Sequence, residues 1–241
     1  MRFDKEETFM KVGLRIAAAA LVGGFALSAC TGGSSTGSGE DPAATVKASA
    51  EAMGEVTGAH VLLTSDGQVP NLKAKRLEGD LSTKPAPAAT GTVTLDMGSL
   101  GEATSKFVYV DGSLYSDVAE PGTFVNYGDG NSIYSVALVL DPERGLANLL
   151  KNFQDPKEQG SEAVDGVEAT KISGTASSND VMVMAGSRMG PQDEIQLPTT
   201  LWIAQDGSNH LLKAEMEPVQ DATVTLELSE FGKQVTAEKP V

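Results

Sequence analysis

Four of the five Asp-Gly pairs in this sequence punctuate it regularly: Asp66-Gly67, Asp111-Gly112, Asp165-Gly166 and Asp206-Gly207. Each lies beside a short run in which apolar and polar residues alternate. No other feature constrains the fold as strongly. Alternation with a period of two sends one side chain into a core and the next into solvent, the signature of a half-buried strand. Asp-Gly accepts positive φ at little cost and so suits tight turns between antiparallel neighbours. On this pattern, strands are predicted at 60–64, 77–81, 92–97, 106–110, 114–118, 160–164, 167–174, 199–204, 211–217 and 223–228. The strands are consecutive and joined by short turns, so an antiparallel meander is the natural arrangement.

Helical spacing appears in three places. Residues 42–56 set Val46, Ala50 and Met53 on one face, with Gly54 near the end. Residues 132–140 carry Ile133, Val136, Ala137 and Leu140. Asp141-Pro142 then restarts a helix, Asp141 as N-cap and Pro142 at its first position, presenting Leu146, Leu149, Leu150 and Phe153. Residues 178–188 read as a further short helix.

The N-terminus has its own logic. Lys11 and Arg15 precede an apolar run at 16–27, which leads into Leu27-Ser28-Ala29-Cys30. A basic stretch, a twelve-residue apolar stretch and small residues before a cysteine make a bacterial lipobox, and the run is too short to cross a bilayer as a mature helix. Residues 1–29 therefore read as a signal peptide. Cys30 reads as the lipidation site, its thiol alkylated with diacylglycerol and its new amine open to acylation. Residues 30–42 read as the lipidated cysteine and a flexible Gly/Ser tether, and residues 43–241 as a single domain.

Cys30 is the only cysteine, which excludes disulfides and cysteine-based metal sites. The domain must fold on its core, and about 200 residues suffice for that. Without residues 1–29, 14 Lys+Arg stand against 30 Asp+Glu. Such a surface repels nucleic acid and anionic headgroups and favours a monomer. Attachment to a membrane then falls to the acyl chains, each buried methylene contributing about 0.8 kcal/mol.

Catalytic signals are sparse. His60 and His210 lie far apart, each inside a predicted strand or at its edge, and read as structural. No HExxH and no phosphate-binding glycine loop occurs. Gly33-Ser34-Ser35-Thr36-Gly37 matches the nucleophile-elbow pattern, but it sits in the tether and lacks the strand and helix that the elbow requires. Asp129-Gly130-Asn131 lacks the remaining ligands of a calcium loop. Tyr127 and Tyr134, flanking the helical stretch, are candidates for packing or for binding a polar headgroup. The chain reads as a non-enzyme without cofactor.

Aliphatic side chains, by contrast, are abundant. The strands supply Val61, Leu63, Val93, Leu95, Val108, Val110, Ile203, Leu212, Ala214, Met216, Val224 and Leu226. The helices add Ile133, Val136, Leu140, Leu146, Leu149 and Phe153. These residues are the candidate lining of an apolar interior. A filled core and a hollow one use the same residue types, so the pattern leaves both open.

Longer segments carry a family resemblance. Gly67-Gln68-Val69-Pro70-Asn71-Leu72, Leu77-Glu78-Gly79-Asp80 and Phe107-Val108-Tyr109-Val110-Asp111-Gly112-Ser113-Leu114-Tyr115 occur in order. Ser132-Ile133-Tyr134 and Leu140-Asp141-Pro142-Glu143-Arg144-Gly145-Leu146-Ala147-Asn148-Leu149-Leu150 follow. Pro198-Thr199-Thr200-Leu201-Trp202-Ile203 and Phe231-Gly232-Lys233-Gln234-Val235-Thr236 complete the set. This series resembles the mycobacterial lipoprotein family that includes LppX, LprA, LprF and LprG, its LprA branch most, over about residues 44–241. The resemblance implies an α+β fold, a curved antiparallel β-sheet (half-barrel) with helices on the concave side around an apolar cavity. It also implies a ligand, an acylated glycolipid or other long-chain envelope lipid carried across the periplasmic space, with the protein held on the outer face of the cell membrane. A transporter partner is a further expectation. The alternative reading is an envelope scaffold lipoprotein with a collapsed cavity.

Overall fold

The computed structural model describes residues 41–69, 72–130, 136–184 and 194–240, with backbone alone at 136–137 and 182–184. Residues 1–40 lie outside this range, and with them the signal peptide, Cys30, the tether and the elbow-like Gly33–Gly37 motif. The 42–56 pattern folds as α1 (Pro42–Glu55). The Asp41 carboxylate accepts the Ala43 N–H at 3.1 Å, Pro42 occupies the first turn, and Val46, Ser49, Ala50 and Met53 are buried along one face.

Eleven strands follow among the described residues: β1 (Gly58–Asp66), β2 (Ala74–Ser82), β3 (Ala88–Asp96), β4 (Glu102–Val110), β5 (Ser113–Ser116), β6 (Val125–Asp129), β7 (Gln154–Val164), β8 (Val167–Ser177), β9 (Gln196–Ala204), β10 (Leu211–Val219) and β11 (Ala222–Ser229). They form one antiparallel sheet in the order β6-β5-β4-β3-β2-β1-β11-β10-β9-β8-β7. Two meanders, β1 to β6 and β7 to β11, are joined through the β1–β11 pair, in which Val61 faces Leu228 and Leu63 faces Leu226. The expected antiparallel meander is present; most strands extend past their predicted limits as neighbouring residues continue the ladder, while β5 ends at Ser116, two residues short of the expected 118.

The Asp-Gly pairs act unequally. Asp111-Gly112 (φ 50° and 76°) and Asp165-Gly166 (φ 48° and 82°) make two-residue hairpins with left-handed backbone at both positions. Asp66-Gly67 opens a longer connection to Ala74, and Asp206-Gly207 lies within the six-residue link between β9 and β10. Strand β6 carried no sequence signal, since its residues are exposed and it pairs only with the edge of β5.

The second mid-chain helix is shorter than predicted, and of the first only residues 136–140 lie within the described range. A 3-10 turn spans Val136–Leu140, and α2 (Leu146–Lys151) begins only after Gly145. Asp141 does cap, its carboxylate accepting the Glu143 and Arg144 amides at 2.9 and 3.1 Å. What it caps is a turn closed by Gly145 N–H onto the Asp141 carbonyl at 2.7 Å. Gly145 is pressed against the chain before it: a Cβ there would lie 2.4 Å from the Leu138 and Val139 carbonyl oxygens. The helix predicted at 178–188 is α3 (Ser178–Met184), residues 185–188 lying outside the described range.

One core joins the helices to one face of the sheet. Met53, Leu146, Leu149 and Leu150 pack with Val61, Phe107, Ile172, Leu201, Ile203 and Leu226. The opposite face carries a smaller cluster of Trp202, Ala169, Ala204 and Leu212. There the Lys171 and Lys213 ammonium groups lie 4.8 and 4.5 Å from the indole centre, and Glu162 accepts the indole N–H at 3.2 Å. After β11 the chain crosses back over its neighbours: Gly232 N–H donates to the Gly58 carbonyl at 2.8 Å and Val235 N–H to the Ser82 hydroxyl at 3.2 Å.

Candidate functional site

A hollow lies between the core face of the sheet and the 3-10 turn. Val61, Leu63, Leu77, Gly79, Leu81, Ala89, Phe107 and Leu226 line it from five strands, and Val139 closes it from the turn. A pair of glycines lies at this place in the sheet, Gly79 in the lining and Gly91 beside it. Gly79 and Gly91 face each other across β2 and β3, so no side chain rises from the sheet at either position. Neither could carry one. A Cβ on Gly79 would lie 2.4 Å from the Thr90 carbonyl oxygen, and one on Gly91 would lie 2.3 Å from that of Glu78 and 2.9 Å from Phe107 Cε1. The Phe107 ring, opposite Gly91 in register, leans over the bare backbone and forms one wall. The free space is about 40 Å³, room for about three water molecules and well below the several hundred Å³ of a typical small-molecule pocket.

Asp80 alternates with Gly79 and Leu81 of the lining, so its side chain stands on the other face of the sheet. It sits opposite His60 in register, and its carboxylate contacts His60 Nδ1 at 2.7 Å and Lys233 Nζ at 3.0 Å. Burial pushes the Asp80 carboxyl up, but hydrogen bonds from His60 and Lys233 outweigh it and hold the group below its ordinary value. Lys233 is held above its ordinary value by Glu230, at 2.7 Å, and by Asp80. His60 also approaches Glu78 at 3.8 Å. Its neighbours are thus carboxylates, which suits an ion cluster on the sheet and not activation of a nucleophile. His210 stacks on Phe231 with centroids 4.1 Å apart, and burial lowers its pKa against the opposing pull of Asp206. Among the described residues no three His, Cys, Asp or Glu side chains converge on a possible metal position.

Of the residues proposed to line the interior, Val61, Leu63 and Leu226 reach the hollow. Leu140, Leu146, Leu149 and Ile203 are buried in the same core without lining it, and Val93 and Phe153 pack at its periphery. Met216 is buried between Val224 and Thr199 in register. Ile133 and the side chain of Val136 lie outside the described range. Three assignments need correction. Val108 and Val110 have the opposite parity to the buried Phe107 and Tyr109, so β4 turns its aromatics and not its valines inward. Two large aromatics fit there because the facing positions on β3 are Gly91 and Ala89; a one-residue difference in register inverts a strand. Leu212 belongs to the Trp202 cluster on the other face, because the ladder between Leu211 and Lys213 shifts by one residue. Leu95, near the end of β3, is only half-buried. The lining residues missed from sequence are Leu77, Gly79, Leu81, Ala89, Phe107 and Val139. Mid-strand glycines at 79 and 91 were the available signal, since glycine inside a strand marks close backbone approach.

The sequence match decides the family: the LppX_LprAFG lipoprotein model covers residues 41–237, which includes every element described above. The chain belongs to that family. It is 50% identical over 206 residues to the lipoprotein LprA of Mycobacterium tuberculosis, covering 86% of this chain and 84% of that one. It is also 38% identical over 227 residues to the lipoarabinomannan carrier protein LprG of Mycolicibacterium smegmatis, covering 92% of each. Among solved structures, LprF from Mycobacterium bovis superposes with a TM-score of 0.72 at 24% identity, over 83% of this chain and 96% of that one. The Mycobacterium tuberculosis lipoprotein LppX gives 0.61 at 25% identity, over 82% and 98%. The family fold is therefore the large open antiparallel sheet with few helices seen here. No helix among the described residues is long and apolar enough to cross a membrane.

Proposed function

We propose that this protein is a non-enzymatic lipoprotein of the cell envelope, anchored through acylated Cys30, that binds an acylated glycolipid in its apolar interior and carries it across the periplasmic space. The observation that supports this most is the apolar hollow floored by the strands around Gly79 and faced, among the described residues, by Val139 of a short 3-10 turn. Family membership adds to it, since a relative is named as a lipoarabinomannan carrier. The physical gain is direct. Each methylene exposed to water costs about 0.8 kcal/mol, so a two-chain lipid needs an apolar escort to leave a bilayer, and no bond need be made or broken. An acyl chain does not fit the present 40 Å³, so loading requires the Val136–Leu140 turn to withdraw from the sheet. The test is lipid uptake by the full chain with and without Ala89→Leu, which extends a side chain into the hollow. Uptake that falls in the variant, at unchanged thermal stability, supports the reading; equal uptake defeats the assigned site.

The small volume is also what a second reading predicts: a scaffold lipoprotein whose cavity is collapsed and whose acidic surface docks a transporter. Absence of any lipid uptake by the wild-type chain, together with a stable protein complex in crosslinked membranes, favours that reading.

A further inference from the structure

The two ends of the sheet differ in chemistry. Register places the Asp66 end of β1 beside Thr223 of β11, and successive antiparallel pairings put residues 67–69, 72–73, 97–101, 117–124 and 220–221 at that same end, with the Ser177–Gln196 pair. The large hydrophobic residues exposed there are Leu100 (83% exposed), Ile195 (54%), Met97 (45%), Val125 (42%), Val219 (40%) and Val118 (37%). Among the described residues only Tyr127, two positions along β6, joins them as a large exposed hydrophobic side chain. The opposite end turns through residues 83–87, Asp111-Gly112, Asp165-Gly166 and Asp206-Gly207-Ser208-Asn209, where no large hydrophobic side chain is exposed. Isolated exposed hydrophobics need no explanation, but their segregation to one rim does.

The most prominent tip is built to leave water. In the Met97–Gly101 turn, Met97 N–H donates to the Gly101 carbonyl at 2.8 Å, Gly101 N–H to the Gly98 carbonyl at 3.0 Å, and Gly98 N–H to Asp96 Oδ1 at 2.7 Å. With these donors satisfied internally, Met97 and Leu100 can enter an apolar phase without stripping the turn of hydrogen bonds.

We propose that this rim docks on a lipid bilayer whose surface carries little negative charge, with Met97, Leu100 and Val219 at the interface. The tether decides what the rim can reach. Residues 31–41 span at most about 40 Å when extended, more than the roughly 30 Å height of a nine-residue strand. From an acylated Cys30 either end of the sheet can therefore touch the membrane, and the apolar residues select the end. Asp66, Glu102, Glu120 and Asp221 on the same rim are exposed and outnumber exposed Lys73, so anionic headgroups oppose docking. This inference rests on the anchored reading of Cys30 but not on what the interior holds.

The test uses the full chain isolated in acylated form and reconstituted into phosphatidylcholine vesicles. Leu100→Cys, Val219→Cys or Ser208→Cys carries an environment-sensitive fluorophore, and doxyl-labelled lipid is the quencher. One label per chain reports a blocked Cys30; two report a free Cys30 and overturn the anchored geometry. Quenching at 100 and 219 about fivefold stronger than at 208 is expected, falling when half the lipid is phosphatidylglycerol and falling at 219 when Met97→Asp is added. Equal quenching at both ends, or none at 100 and 219, overturns the proposal, and the latter leaves the rim to a protein partner. Lipid uptake is read separately, so failure of docking and failure of the carrier reading are distinguishable.

Discussion

Gly91→Ala should be among the most damaging single-atom additions to this sheet. The backbone at 91 is not left-handed, so conformation permits alanine; space forbids it. The new Cβ would lie 2.3 Å from the Glu78 carbonyl oxygen, 2.8 Å from Gly79 Cα and 2.9 Å from Phe107 Cε1. The aromatic ring can yield, but the two backbone atoms cannot move without parting β2 from β3. Overpacking of this kind costs about 1–3 kcal/mol, against a gain of about 0.5–1 kcal/mol from replacing a strand glycine. A net loss of about 1–2 kcal/mol follows, which lowers Tm by about 2–8 °C in a domain of this size. Gly54→Ala is the control. Its Cβ meets nothing nearer than Ala147 Cβ at 4.0 Å, and alanine is favoured in a helix by about 0.5–1 kcal/mol, so Tm should hold or rise. Urea and thermal denaturation of both variants measure the difference. A Gly91→Ala protein as stable as the wild type would refute the close approach of β2 and β3 at the hollow.

Phe107→Ala should cost about 3–5 kcal/mol, while Val108→Ala on the other face should cost about 1 kcal/mol or less; reversed values in urea melts would invert the assigned face of β4. Because Asp80 is held below its ordinary value, its contribution to stability is complete above that range and is lost as pH falls through the lowered folded value, beneath the ordinary 3.8. Tm measured from pH 6 to pH 2.5 should therefore fall more steeply in the wild type than in Asp80→Asn, and parallel curves would contradict the His60–Asp80–Lys233 cluster. Trp202, the single tryptophan and 3% exposed, should emit as a buried indole, and Lys213→Ala should shift its emission to the red by uncovering one face of the ring; an unchanged spectrum would argue against that packing.

The period-two runs and Asp-Gly turns made most of the sheet legible, because each strand buries one face and its alternation is written locally. The order in which strands pair was less so. Two meanders meeting at β1 and β11 depend on contacts between residues far apart in sequence, such as Leu63 and Leu226, which no local pattern records. Strand β6 was invisible because its residues are exposed and carry no alternation to read. The helix expected from Asp141 starts only at Leu146, because apolar spacing does not record the close approach at Gly145. The site was legible in type and partly in place. Val61, Leu63 and Leu226 were named from alternation, but in β4 valine and aromatic side chains alternate with equal apolar weight, and only pairing with Gly91 and Ala89 decides which set points inward. Gly79 of the lining and its partner Gly91 carry no side chain, so apolar alternation does not mark them.

The central claim is that the apolar interior takes up lipid. It is tested most directly by native mass spectrometry of the acylated full chain from a mycobacterial membrane, followed by solvent extraction of what it releases. The account predicts an adduct of a long-chain envelope lipid, dissociable from the protein and separate from the acyl groups fixed at Cys30, and diminished in Ala89→Leu. A chain that carries only its covalent acyl groups, and still carries only these after incubation with acylated glycolipid, would contradict it.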